Sequence, residues 1–254
     1  MAKKMGIPFG NLCAGVNVND ITHRAFSTGI VRKPRSGEPM KQSLSDAINI
    51  QLPYNLERLL FYLTDQDHTL VKTWYERLEA STSAIDEEIG GSIDLTTTTA
   101  EGDDKKESSS KNTTWLKKLQ AEFRSAKVTD DCLCDTIQHV LETYGYWIDP
   151  HTGVAFDAAK QLGYFSMKEK SKNNHLAIMA TASPCKFEAA MTQAVGKEKW
   201  KDYEDQHFPP RGKILKEEKE IPPTRYLADP QKTLEENQLV WEASTRALIA
   251  KLGR

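Results

Sequence analysis

The chain has 254 residues, of which 39% are hydrophobic, so it can build one large or two small domains. Its formal charge of −2 excludes the clustered positive surface that nucleic-acid binding requires. No apolar run approaches the roughly 20 residues that cross a bilayer, and the start, MAKKMGIPFGNLC, lacks the hydrophobic segment of a secretory signal. Its four scattered cysteines match neither a disulfide framework nor a metal site, which favours a cytoplasmic location.

The first predicted unit is a strand, a polar loop and a helix. Residues 11–16 form a short apolar run, and Asn19 and Asp20 follow it with side chains that can accept hydrogen bonds at a helix N-terminus. The sequence predicts a helix over residues 21–28 that ends at Gly29.

Two amphipathic helices are predicted next. Apolar side chains recur there at helical spacing, which places them on one face of each helix. These positions are Leu56, Leu59, Leu60 and Leu63 in the first helix and Leu70, Val71, Trp74 and Leu78 in the second.

A polar insertion follows over residues 81–113. This stretch consists mostly of Thr, Ser, Asp, Glu, Lys and Gly, and it has too little apolar surface to offset the entropy of an ordered chain. The sequence therefore predicts a disordered insertion, with order resuming near Trp115.

Two more helices are predicted after the insertion. Thr129 can cap the first, which ends near Gly145. Asp149 can cap the second, and Pro150 fits its first turn without sacrificing a needed hydrogen-bond donor. His151 lies in that turn, and we interpret it as a residue with a local packing or hydrogen-bonding role.

A second strand, loop and helix unit is predicted near residue 180. Residues 175–180 are apolar and read as a buried strand, and a helix after them closes at Gly196. Alternating units of this kind indicate an α/β fold with a parallel sheet, whose ligands usually lie at the carboxyl ends of the strands. The charged remainder, with a last helix from about residue 234 to residue 252, is interpreted as a peripheral extension.

Two polar loops therefore lie where such a sheet presents ligands. Their side chains can bind a ligand or cap the following helix, and the residue types do not distinguish these roles. Hydroxyls in the second loop can also bond to the ring nitrogen of a cofactor. The candidates are Asn17, Asn19 and Asp20 in the first loop and Thr181, Ser183 and Lys186 in the second.

Four sequence blocks, in order and correctly spaced, carry a family resemblance. VNVNDITHRAFSTG resembles an N-x-N-D-x-x-x-R loop, and SLSDAINIQLPYNLERLLFYL resembles a T-L-S-x-x-M-D-I block followed by S/Y-N-x-E-R. YGYWIDPHTGVAF resembles G-Y-x-x-D-P-H-x-A-V-A, and ATASPCKFEAA resembles T-A-H-P-A-K-F. All four patterns are those of the threonine synthase family, most closely of its threonine synthase-like 2 branch. Asn49 replaces the family's usual Asp, and Ser183 replaces its His.

The resemblance implies part of the large domain of a fold-type II pyridoxal phosphate enzyme, a fragment of parallel sheet flanked by helices. Its substrate would be a phosphorylated amino acid, O-phosphohomoserine, used by a threonine synthase or a phospho-lyase. Thr181 and Ser183 would bind the cofactor, and Thr181 resembles the hydroxyl partner of the pyridine nitrogen. The implied substrate residues are Asn17, Asn19, Asp20 and Lys186.

The family's Schiff-base lysine and its G-N-F-G-N phosphate loop lie before the AKKMGIP segment, and neither motif occurs in this sequence. The resemblance therefore implies the carboxy-terminal portion of such a protein, with no catalytic residue of its own and no activity alone. An alternative is a non-catalytic interaction or signalling protein that binds a protein partner through surface exposed by truncation. The expected divisions are 1–80 and 114–196 in the enzyme domain, 81–113 as the insertion and 197–254 as the extension.

Overall fold

The computed structural model describes residues 5–32, 39–80, 92–97, 114–165, 175–218 and 224–252. The chain divides into two compact units, Met1–Pro209 and Pro210–Arg254. The division lies later than the predicted start of the extension at residue 197. None of the helices in the described ranges combines the length and the apolar character needed to span a membrane.

Strands and helices alternate in the first unit, and the second unit is helical. The strands are β1 (Leu12–Val16), β2 (Ile30–Arg32), β3 (Ser92–Asp94) and β4 (Phe123–Lys127). The helices of the first unit are α1 (Ile21–Thr28), α2 (Tyr54–Leu63), α3 (His68–Ala80), α4 (Trp115–Glu122), α5 (Asp130–Tyr144), α6 (Pro150–Gln161), α7 (Glu188–Val195) and α8 (Lys197–Gln206). Those of the second unit are α9 (Pro210–Glu217) and α10 (Leu234–Leu252).

The central sheet is a parallel pair formed by β1 and β4. Leu12 lies opposite Phe123 at one end, and Val16 lies opposite Lys127 at the other. Strand β1 was predicted, but β4 was not, because its sequence FRSAK has no apolar run. The α/β fold with a small parallel sheet flanked by helices is confirmed.

A second, antiparallel pair joins β2 to β3, which lies within the predicted insertion. Val31 pairs with Ile93, and both side chains are fully buried. Leu95 is fully buried too, and its backbone N–H donates to the Gly29 carbonyl oxygen at 2.8 Å. The prediction of disorder is therefore wrong for residues 92–97, where two apolar side chains find a partner strand. The rest of the insertion lies outside the described residues.

Residues 175–180 are not the buried strand that their apolar character suggested. They have no regular secondary structure, and five of the six are exposed. The chain is held just after them, where the Thr181 backbone N–H donates to the Thr152 hydroxyl of α6 at 3.1 Å. The prediction was wrong because an apolar run becomes a strand only where a neighbouring strand supplies hydrogen-bond partners.

The helices pack into two hydrophobic clusters. The first surrounds α1 to α4 and includes the fully buried Leu60 and Leu78, which confirms the predicted amphipathic faces of α2 and α3. The second joins α5, α6, α7 and α8. Trp200 and Tyr203 of α8 belong to this second cluster, so the chain after residue 197 is part of the core at first and not a peripheral extension.

Predicted capping residues define several helix ends. The Thr129 hydroxyl accepts from the Cys132 N–H at 3.4 Å at the start of α5, and Gly145 ends that helix with a left-handed φ of 63°. In the second unit, Thr233 and Glu236, which were not predicted as a cap, exchange hydrogen bonds as a capping box at the start of α10. The predicted bounds of α1 and α10 are confirmed.

Helix α6 approaches β1 very closely at Gly15. A Cβ atom at Gly15 would lie 2.9 Å from the Val154 carbonyl oxygen and 3.1 Å from the Ala158 Cβ. Only hydrogen fits there. This contact fixes α6 against the sheet. Residues in the first turn of α6 also form hydrogen bonds with Ala47 and with Thr181, which lies before α7.

We predict that Gly15→Ala lowers the free energy of unfolding by about 1–3 kcal/mol, because the new methyl group meets backbone atoms that cannot move aside cheaply. Urea denaturation measures this change. Gly10→Ala is the matched control, since nothing lies within 4 Å of a Cβ at Gly10, and its effect should stay within about 0.5 kcal/mol. Equal effects of the two substitutions would show that the close approach of α6 does not limit stability.

Candidate functional site

Asn17 is the buried centre of the first polar loop. Its side chain is 1% exposed and its Nδ2 group donates to the Ser43 Oγ at 2.8 Å and to the Asn49 Oδ1 at 2.7 Å. Its Oδ1 atom accepts from the Asn19 backbone N–H at 2.9 Å. Asn17 therefore holds the loop after β1 against the segment that contains Ser43 and Asn49.

Asn49 is the position where the threonine synthase pattern usually has Asp. Its Oδ1 atom accepts from Asn17 Nδ2 at 2.7 Å, from Asn19 Nδ2 at 2.9 Å and from the Ser43 hydroxyl at 2.6 Å. Three donors on one oxygen are an arrangement that a carboxylate also satisfies. The amide here makes the same contacts without adding a negative charge.

Asp20 precedes α1, but its side chain makes no capping hydrogen bond, so the predicted capping role is wrong. The carboxylate instead accepts from Arg24 Nε at 3.0 Å and from Lys127 Nζ at 3.2 Å. Burial raises the pKa of Asp20, but the bonds and charges of Lys127 and Arg24 outweigh burial and lower it.

A shallow depression lies beside this loop. Asn19 Nδ2 donates to the Lys41 carbonyl oxygen at 2.8 Å, and the Lys41 backbone N–H donates to Asn19 Oδ1 at 3.1 Å. Among the residues that the structure describes, Arg24 and Lys41 line the depression with two positive charges and Asp20 lines it with one negative charge. The depression therefore has a net positive charge that attracts anions.

Asp149 is the buried carboxylate around which the second loop is organised. It accepts from the backbone N–H and the Nδ1 of His151, both at 2.9 Å, and from the Thr152 hydroxyl. The Thr181 hydroxyl and the Ala182 backbone N–H each donate to it at 3.3 Å. Burial raises the pKa of Asp149, but the hydrogen bonds from His151 and Thr152 outweigh burial and hold the pKa at about 2.

His151 connects Asp149 to the segment of residues 43–49, which Asn17 holds against the first loop. Its Nε2 atom accepts from the Ala47 backbone N–H at 3.1 Å, so the ring proton lies on Nδ1, where it is donated to Asp149. The ring also packs against Phe187 at a centroid distance of 4.7 Å. Sequence reasoning gave His151 only a local role and missed this connection to residue 47. The Asp-Pro-His spacing at a helix start was the available signal.

The three candidates of the second loop lie in different surroundings. Thr181 is exposed and its hydroxyl faces Asp149. Ser183 donates to the Cys185 Sγ at 3.1 Å, and it caps no helix. Lys186 is exposed, and within the described ranges its ammonium group makes no hydrogen bond or ion pair. The capping interpretation of this loop is therefore wrong for Ser183.

The structure brings the two candidate loops together. Asn17 Nδ2 contacts the Ser45 carbonyl oxygen at 3.2 Å, two residues before the Ala47 N–H that reaches His151. His151 and Asp149 continue this chain of contacts to Thr181. Across the described ranges, no cluster of three His, Cys, Asp or Glu side chains is suited to hold a metal ion.

We predict that Asp149→Asn lowers the free energy of unfolding by about 2 kcal/mol near neutral pH, because an amide cannot accept from every donor around it. The folded carboxyl has a pKa of about 2, below its ordinary value of 3.8, so its stabilisation is complete above the ordinary value and is lost as the pH falls toward 2. The difference between wild type and variant should therefore shrink with acidification.

Urea denaturation at a series of pH values measures this difference. Asp202→Asn, which changes an exposed carboxylate on α8, is the control and should leave stability within about 0.5 kcal/mol. A cost of Asp149→Asn that stays constant down to the pKa of the carboxyl would contradict the role given to its charge.

Comparisons with known proteins point to one enzyme family. No protein-family model matches the chain. The threonine synthase of Pseudomonas aeruginosa is 28% identical over 194 residues, which are 76% of this chain and 34% of that protein. Threonine synthase-like 2 of Homo sapiens is 27% identical over 195 residues, or 76% of this chain and 33% of that protein. The chain thus spans about a third of the length of these relatives.

Solved structures of threonine synthases are also similar to this chain. The pyridoxal phosphate-bound threonine synthase of Brucella melitensis matches with a TM-score of 0.56 and 28% identity, over 78% of this chain and 35% of that one. The yeast threonine synthase shares the fold with a TM-score of 0.64, over 85% of this chain and 39% of that one. In sequence and in fold, the chain is similar to about a third of a threonine synthase, a fold-type II pyridoxal phosphate enzyme.

Proposed function

We propose that this chain supplies one side of the active site of a pyridoxal phosphate-dependent enzyme that acts on O-phosphohomoserine, as a threonine synthase or a phospho-lyase. The similarity to threonine synthases over most of the chain supports this function. The observation that carries it is an exposed hydroxyl, that of Thr181, held by a buried carboxylate at the edge of the α/β core. The chain by itself does not carry out the reaction.

Thr181 is the residue best placed to contact the cofactor ring. Its side chain is exposed, and its loop is anchored at three points, by the backbone N–H groups of Thr181 and Ala182 and by the Thr181 hydroxyl. A hydroxyl fixed in this way fits the ring nitrogen of pyridoxal phosphate, and Ser183 flanks it. When bound, the cofactor withdraws electrons from the amino-acid substrate.

The described residues fit the ring edge of the cofactor and not its covalent attachment. Lys186 is the lysine nearest in sequence to Thr181, and its exposed ammonium group makes no contact with Asp149 or Thr181. A lysine that forms a Schiff base is held against the cofactor by its surroundings. We therefore assign Lys186 to substrate binding, where a free positive charge can pair with a carboxylate or phosphate.

The first loop is suited to the phosphorylated part of the substrate. The depression beside Asn19 is lined by the positively charged side chains of Arg24 and Lys41, both of which carry N–H donors. A phosphate group prefers such a combination of cations and N–H donors. Asn17 and Asp20 keep the loop in place, through the contacts to Asn49 and to Arg24.

The cytosol is the proposed location of the reaction. All four cysteines are free, and Cys13 and Cys132 are exposed. Exposed thiols persist in a reducing compartment.

We predict that pyridoxal phosphate leaves no stoichiometric lysine adduct on this chain after borohydride reduction, as read by mass spectrometry of the digest. Pyridoxine 5′-phosphate, which has no aldehyde, should shift the NMR amide signals of Thr181 and Ala182. Thr181→Val should abolish these shifts, and Thr143→Val, which removes an exposed hydroxyl on α5, should preserve them. A full adduct on one lysine, or shifts confined to other parts of the chain, would overturn the assignment.

We also predict that inorganic phosphate shifts the amide signals of Asn19 and Lys41. Arg24→Gln should weaken the apparent affinity for phosphate by at least about threefold, because it removes one of the two cations of the depression. Arg77→Gln, which removes one exposed positive charge from α3, is the control and should change the affinity little. Equal losses in the two variants would indicate a general charge effect in place of a phosphate site.

A further inference from the structure

A path of contacts runs between the two candidate loops, through Asp149, His151 and the segment of residues 43–49 that Asn17 holds against the first loop. Asp149 accepts from the Thr181 hydroxyl and the Ala182 N–H on one side, and from His151 Nδ1 on the other. The opposite nitrogen of the same ring accepts from the Ala47 N–H. One carboxylate and one imidazole thus link the second loop to Ala47, and Asn17 Nδ2 of the first loop donates to the Ser45 carbonyl oxygen in the same segment.

We propose that Asp149 and His151 are positioning residues that join the candidate cofactor loop and the candidate substrate loop into one hydrogen-bonded unit. A change that loosens one loop then also loosens the other. The proposal rests on the proposed function only for the names of the two loops, since the contacts that carry it lie within this chain.

The path has a definite direction, which one ring proton sets. Nδ1 must carry the proton because its partner is a carboxylate, and Nε2 must be bare because its partner is the Ala47 N–H. The imidazole side chain is 5% exposed, and the Asp149 side chain has no exposed surface. Water therefore competes little for either contact, and removing one partner leaves the other group buried without its bond.

The ring is confined by its surroundings as well as by its hydrogen bonds. Phe187, just before α7, packs on it, and Asp46 Oδ1 lies 3.9 Å from Nε2. Asp46 is largely exposed and lies beyond hydrogen-bond distance, so the Ala47 N–H is the partner that determines the tautomer. The packing of Phe187 and the hydrogen bond from the Ala47 N–H therefore hold the imidazole in one orientation.

Two substitutions at His151 separate the two halves of the path. Asn places an amide near Nδ1, so His151→Asn keeps a donor for Asp149 and loses the acceptor for Ala47. Gln places an amide near Nε2, so His151→Gln keeps the acceptor and loses the donor. Asp157→Asn is the matched control, because Asp157 is a buried carboxylate of the same helix that accepts, within the described ranges, from Thr136 and Gln161 and lies outside this path.

Amide hydrogen exchange of the uncomplexed chain, read by NMR, tests the coupling. Asp149→Asn should lower the protection of Ala182 by about tenfold, and that of Ala47 by at least about threefold, although Ala47 does not touch Asp149. His151→Asn should lower the protection of Ala47 and, through the path, that of Ala182. His151→Gln should retain most of the protection of Ala47, and Asp157→Asn should leave both amides within about twofold.

The ring nitrogens of His151 give a second readout, which a general loss of stability would not change. Nitrogen-15 spectra should show the proton on Nδ1 in the wild type and in Asp157→Asn, and a shift toward the Nε2 proton in Asp149→Asn. Unchanged protection of Ala182 in His151→Asn, or a wild-type proton on Nε2, would overturn the proposal. Neither outcome depends on cofactor binding. A failure of the proposed function would instead appear in the cofactor and phosphate titrations.

Discussion

The carboxylate of Asp149 is the group on which the arrangement of the site depends. A buried carboxylate is costly unless donors surround it, and here two backbone N–H groups, two hydroxyls and an imidazole do so. These donors come from the first turn of α6 and from the loop at Thr181. Satisfying one charge therefore fixes two segments that are about 30 residues apart in sequence.

The two loops handle charge in opposite ways. The second is organised by a carboxylate, whereas the first is organised by the neutral amide of Asn49, although both oxygens receive several donors. A carboxylate at position 49 would add a negative charge to the loop that carries the depression. With the amide, the charges of Arg24 and Lys41 are opposed, among the described residues that line the depression, by Asp20 alone. The departure from the family pattern at Asn49 thus keeps the first loop attractive to an anion.

The close contact at Gly15 makes these loops neighbours. Because α6 lies directly on β1, the first turn of α6 reaches the segment of residues 43–49, where the Ala47 N–H donates to His151. Asp149 lies just before this turn. A wider separation would require larger side chains between helix and strand and would break the bond from Ala47 to His151. The tight packing at Gly15 and the hydrogen bond between Ala47 and His151 therefore depend on the same close approach of α6 to β1.

The sequence by itself determined the helices other than α4, α8 and α9, the polar loops and the family resemblance. Helices are local, so Thr129, Gly145 and the apolar spacing of α2 and α3 define them without reference to the rest of the chain. Strands need partners far away in sequence, so the polar β4 and the short β3 escaped prediction, and residues 175–180 were misassigned. The path from Thr181 to Ala47 likewise exists only because folding brings together side chains more than 100 residues apart. Tertiary structure alone decided which donors meet Asp149, and hence how the two loops are joined.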